Sequence, residues 1–143
     1  MMDRSCSAPD PQAADPHPTA TCLPEPLQEF VARFNAGEFW ESHEVLEAPW
    51  RTGRSDFYHG LILYASAFVH AQRGNRRGVL AQLAKATHRL APYRPVYLGL
   101  NVDAILADAE RCRRRAARGA AIPFPTLHPD RALIQGNEPE LQA

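Results

Sequence analysis

Apolar positions recur along this chain at the three- and four-residue spacing of helices, in five successive blocks. Leu27, Phe30, Val31 and Phe34 predict a helix over 26–35. Pro26 suits its first turn, where a missing N–H costs nothing, and Asn35-Ala36-Gly37 stops it. A second helix is expected over 38–50, with Phe39, Leu46 and Trp50 on one side and Pro49 forcing a kink or a stop. The third, over 55–73, starts from Ser55 and is apolar all round, so it should be the buried centre. Its polar exceptions, His59, Ser66 and His70, lie close together in azimuth. Gly74-Asn75 reads as a left-handed stop followed by a cap. The fourth helix then covers 76–91, with Gly78 permitting close approach of a neighbour and Pro92 and Pro95 ending it. Asn101 caps a fifth over 102–118, striped by Val102, Ile105, Leu106, Ala109 and Cys112 and stopped by Gly119. No β-hairpin signal or glycine-rich phosphate loop interrupts the pattern. The expected fold is all-α, a single-domain antiparallel bundle of about five helices.

The flanks differ in composition. Residues 1–23, rich in Pro, Ala, Asp and Ser, read as a disordered leader, and 24–119 as the helical domain. Residues 120–143 hold four prolines and few apolar residues, and read as an irregular tail. Formal net charge is zero, so no whole-molecule field points to nucleic acid or an anionic membrane. Charge is uneven, however: residues 25–50 carry six glutamates against one arginine, and residues 51–118 carry thirteen Lys/Arg against four Asp/Glu. Faces of differing sign, screened beyond about 10 Å, account for this without a partner. Cys6, Cys22 and Cys112 have neither metal spacing nor a paired framework, which suits a reducing cytoplasm. The nearest approach to a membrane span, Phe57 to Ala71, is broken by His59, Ser66 and His70.

The candidate chemistry centres on the second helix. Helical azimuth places His43 in the middle of its apolar face and Glu47 at the flank. Unpartnered, such buried groups cost about 1–3 kcal/mol each. One resolution is a polar network: His43 bonds Glu47 or Ser66, His70 pairs with a glutamate of the second helix, and Trp40 and Trp50 pack above. The other is a divalent metal site, with His43 and Glu47 as i, i+4 ligands, His70 as a third and Glu44 as base or outer-shell group. His59 and His70 lie 11 residues apart, about 16 Å along a helix, so they cannot share an ion. Glu41 and Asn75 complete the polar set. The network is the simpler solution.

Two other features have plainer explanations. Arg111-Cys112-Arg113-Arg114-Arg115 with Arg118 forms a basic tip that could meet phosphates. Arginines at a helix C-terminus are also what the macrodipole favours, and no interleaved aromatics support RNA. Tyr93, Tyr97, Trp40 and Trp50 read as core and loop anchors. Ser42, Ser66 and Cys112 lack a nucleophile elbow or triad.

Two phrases resemble a known family. Phe34-Asn35-x-Gly37 followed by Glu41-x-His43-Glu44-x-x-Glu47-x-x-Trp50 is similar to the opening signature of domain-of-unknown-function family 309, DUF309. Gly60-Leu61-Ile62, Ala65, His70 and Gly74-Asn75-x-x-Gly78 resemble its central signature, continued by Leu83, Ala86, Leu90 and Tyr93. The resemblance extends over about residues 27–106. It departs at His59 and Leu63, where the family tends to carry glutamines, and at Val79, where it tends to carry alanine. It implies a small all-helical prokaryotic protein and supplies no activity. The functional expectation is therefore a non-enzymatic cytoplasmic module, with a groove between helices two and three that binds a small partner or another chain. A second copy is one such chain, through apolar positions on helix five. The alternative is a metal-dependent hydrolase using His43, Glu44, Glu47 and His70.

Overall fold

The computed structural model describes residues 23–136 and 138–142. The expected leader and two of the three cysteines, Cys6 and Cys22, lie almost wholly outside them. Five α-helices dominate the described residues: α1 (Glu25–Asn35), α2 (Phe39–Gly53), α3 (Asp56–Gln72), α4 (Arg76–Leu90) and α5 (Val102–Ala117). Local chemistry sets the starts of the last three. Ser55 Oγ accepts from Tyr58 N, Asn75 Oδ1 from Gly78 N and Asn101 Oδ1 from Ala104 N. Gly37, Gly74 and Gly119 take positive φ at the exits of α1, α3 and α5.

α3 is the central element, packed between α2 and α4, with α1 against α2 and α5 against α4. Ten of its residues are buried, which explains its all-round apolar sequence. An aromatic cluster ties it to α1 and α2. Phe34 stacks on Tyr64 at 5.5 Å, meets Phe39 edge-on at 5.0 Å and meets Phe68 edge-on at 5.8 Å. No described helix is long and apolar enough to cross a membrane.

Two local expectations need correction. α2 does not stop at Pro49 but runs one turn further to Gly53. Proline removes only the bond its own N–H would make, and Arg54, at φ 56°, closes the last turn by donating to Trp50 O at 2.6 Å. A small hairpin also exists, β1 (Val96–Tyr97) paired antiparallel with β2 (Leu100–Asn101). Its two-residue turn has both φ values positive, Leu98 at 50° and Gly99 at 73°. Leucine at such a position gives no sequence signal; here burial of its side chain holds it.

The chain beyond α5 lies along the bundle. Leu127 and Ile134 are buried, and Asn35 bonds both main-chain groups of Leu127, each at 2.7 Å. The buried Glu138 carboxylate accepts from the main-chain N–H groups of Leu98 and Gln135. Glu140 accepts from Ser55 Oγ at 2.5 Å and from the Tyr97 hydroxyl.

Candidate functional site

The polar residues of α2 and α3 resolve into separate pairs. His43 Nε2 stands 3.7 Å from Glu47 Oε2, one helical turn on, and Arg51 approaches the same oxygen at 3.9 Å. Trp40 stacks on His43 at 5.2 Å, with the Arg73 guanidinium 5.7 Å over the indole. His43 is therefore mostly enclosed, and its Nδ1 is buried without a hydrogen-bond partner among the described residues. Glu41 and Glu44 are exposed, and Ser66 is half-buried on α3.

His59 and His70 sit at opposite ends of α3. Trp50 stacks on His59 at 4.3 Å with the rings 16° apart. Burial, then the Arg89 charge, lowers the His59 pKa, against an opposing pull from Asp56. His70 is held by the next junction. Asn75 Nδ2 donates to His70 Nδ1 at 3.1 Å, while Asn75 Oδ1 accepts from Gly78 N at 3.0 Å. That pairing puts the proton of a neutral His70 on Nε2. A methyl on Gly78 would stand 2.4 Å from the ring's Cγ and Nδ1. The motif His70…Asn75-x-x-Gly78 thus has one physical meaning: a single amide caps α4 and anchors the ring that α4 passes closely.

The proposed metal set of His43, Glu47 and His70 is not assembled. No group of three His, Cys, Asp or Glu side chains among the described residues is placed to hold an ion. Azimuth on one helix correctly put His43 with Glu47, but it carried no information about the partner of His70. The expected pairing of His70 with a glutamate of α2 fails for the same reason: Asn75 is covalently close and already oriented by its cap.

Concave surface is found on the other side of α3. A groove of about 560 Å³ opens between α3 and α4, lined by His59, Leu63, Ala84, Lys85, His88 and Arg89. Its α3 wall continues the stripe His59, Leu63, Ser66, His70, all half-buried at i, i+4, i+7 and i+11. Leu63 and Ala84 give it an apolar floor; Lys85 and Arg89 give it a cationic rim, which the His88 imidazole shares. Arg89 Nη1 is paired with Asp56 at 2.9 Å. Sequence reasoning missed Lys85, His88 and Arg89. The only available signal was that they lie on the side of α4 away from Val79, Leu83 and Ala86.

A second cluster was read only in part, through Tyr93 and Tyr97 as anchors. Tyr58, Tyr93 and Tyr97 gather at the start of α3, beside Ser55 and Glu140. Burial first, and then the Glu140 carboxylate, raises the pKa of the Tyr58 and Tyr97 phenols. Of the two, the Tyr97 hydroxyl donates to Glu140, a structural bond.

The family model for Domain of unknown function (DUF309) matches residues 27–82. The match runs from α1 into the middle of α4 and includes both phrases read from the sequence, though it ends before the full 27–106. No curated protein matches the chain.

Proposed function

We propose that this DUF309 protein is a non-enzymatic, cytoplasmic binding module, and that its ligand is a small organic anion seated between α3 and α4. One observation carries the reading: a groove of ligand size with an apolar floor and a rim on which the Lys85 ammonium has no ion-pair partner among the described residues. Its volume of about 560 Å³ is in the range of small-molecule sites, and it is open to solvent. Leu63 and Ala84 suit an apolar body. Lys85 has no ion-pair partner among the described residues and so suits a carboxylate, to which a His88 ring N–H can also donate. His59, fixed by Trp50, closes the α2 side. The buried Cys112 thiol, whose pKa burial first and then Asp108 push up to about 11, is unreactive and suits a reducing compartment. A hydrolytic reading has no comparable support, because Glu44 is exposed and its presumed ligand set is dispersed.

The test is titration of the full chain with simple carboxylates, hexanoate and benzoate among them, followed by Trp50 fluorescence. Saturable binding is expected, weakened at least tenfold by Lys85→Glu, with circular dichroism unchanged because Lys85 is exposed. Equal affinity in the variant, or no saturable binding by any carboxylate, would overturn the reading.

A further inference from the structure

The basic tip of α5 is more than a run of solvated arginines. Arg111, Arg114, Arg115 and Arg118 occupy one helix face at i, i+3, i+4 and i+7, and together they line a second concavity of about 210 Å³. Nearby carboxylates neutralise it only in part. Asp108 holds Arg111 at 2.6 Å. Glu110 is committed to Arg113, which points away from the concavity, and reaches Arg114 only at 3.8 Å. Arg115 donates to Ala121 O at 3.5 Å, and neither it nor Arg118 has a carboxylate partner among the described residues.

The macrodipole of α5 rationalises cations at its own C-terminus. It does not rationalise what faces them. The first turn of α4 carries Arg76 and Arg77 and no acidic residue, at the positive end of that helix's dipole, where cations are disfavoured. Arg76 reaches across to α5: its Nη1 is 2.7 Å from where a methyl on Gly119 would stand. Two helices thus deliver guanidinium groups to one end of the bundle, and one of them does so against its own dipole. A local rule broken with no compensating contact marks a place where a ligand supplies the compensation.

We propose that this concavity binds a pyrophosphate-type group, either free or as the phosphate tail of a larger molecule. The chemistry is that of forked guanidinium donors on phosphoryl oxygens. The concavity, of about 210 Å³ and open to solvent, has room between its arginines for two linked phosphoryl groups, and anything attached to them would extend outward. The four arginines surround a pit and no aromatic side chain lines it, so it lacks the stacking platform of a single-strand track.

Calorimetric titration of the full chain with inorganic pyrophosphate tests this. One-to-one binding is expected, falling steeply with added salt and at least tenfold tighter than orthophosphate. Adenosine diphosphate should compete for the same site, which separates a free ligand from a carried one by relative affinity. The double variant Arg114→Gln/Arg118→Gln should weaken pyrophosphate at least tenfold, whereas Arg113→Gln and Lys85→Glu should leave it unchanged. The arginines are largely exposed, so these variants keep the fold, with circular dichroism as the check. Equal weakening by Arg113→Gln, parity between orthophosphate and pyrophosphate, or tighter binding of a single-stranded oligonucleotide at more than one per chain would each overturn the proposal.

Discussion

The contact between α3 and α4 is sealed near both ends by a glycine, and the two seals are unlike. At one end Gly60 of α3 receives Leu90 of α4: an added methyl would stand 2.6 Å from Leu90 Cδ2 and 3.2 Å from Arg89 Cβ. Leu90 is fully buried and has nowhere to go. At the other end Gly78 of α4 receives the His70 ring, which is only half-buried and held by one hydrogen bond from Asn75. The apolar seal fixes the distance between the helices. The polar seal ties that distance to the junction that starts α4. Between them the helices bear half-exposed side chains, and the groove opens there.

The difference predicts unequal tolerance. Gly60→Ala should cost about 2–3 kcal/mol, the upper range for overpacking a core, read as a lower urea midpoint at unchanged slope. Gly78→Ala should cost about 1 kcal/mol or less. His70 can swing toward solvent, and alanine returns about 1 kcal/mol of helix propensity. The comparison sharpens with second-site changes. His70→Ala should rescue Gly78→Ala, because it removes the obstacle from a half-exposed site. Leu90→Ala should not rescue Gly60→Ala, since it exchanges an overlap for a cavity costing about 2–5 kcal/mol. Rescue at both ends would show the two seals to be equivalent.

A smaller effect is expected where the chain after α5 is fastened. Asn35 was read as part of a stop signal and of the opening family phrase, yet its side chain bonds both main-chain groups of Leu127, 92 residues away. Asn35→Ala should cost about 1–2 kcal/mol. The loss should be local first, seen as faster hydrogen exchange at the Leu127 amide while α3 and α4 amides keep their protection. Uniform acceleration throughout would mean that this segment and the bundle unfold as one unit.

What could be read in advance divides along the same line, local against long-range. The helices, the caps at Ser55, Asn75 and Asn101, and the glycine exits follow from chemistry within a few residues, and, the extra turn of α2 aside, they stand where the local pattern put them. The close approach at Gly78 was legible, though not the ring that fills it. The Leu98-Gly99 turn was not, since a leucine at positive φ is chosen by the pocket that buries it. The site suffered most. His43 and Glu47 meet because they share one helix, whereas the supposed third ligand depended on a pairing between helices that no azimuth determines. The groove residues of α4 looked like an ordinary solvated face.

The smallest expected effect bears on the residue beside the apolar seal. His59 adjoins Gly60, and the groups acting on it come from three elements: Trp50 of α2 stacks on it, Arg89 of α4 repels its charged form, and Asp56 of α3 favours that form. Burial and Arg89 prevail, so the folded pKa lies below the ordinary histidine value of about 6.5. The unfolded chain therefore takes up this proton first as pH falls. The stability that the neutral ring contributes is complete above about pH 6.5 and is lost as pH drops from there through the folded value. His59→Gln keeps a polar side chain at this position and removes the titration. Urea midpoints at pH 7.5 and pH 5.5 should then differ less in the variant than in the wild type, because every other titrating group is common to both. Equal differences would mean that His59 gains its proton as readily folded as unfolded, and that Trp50 stacks on the charged ring as well as on the neutral one.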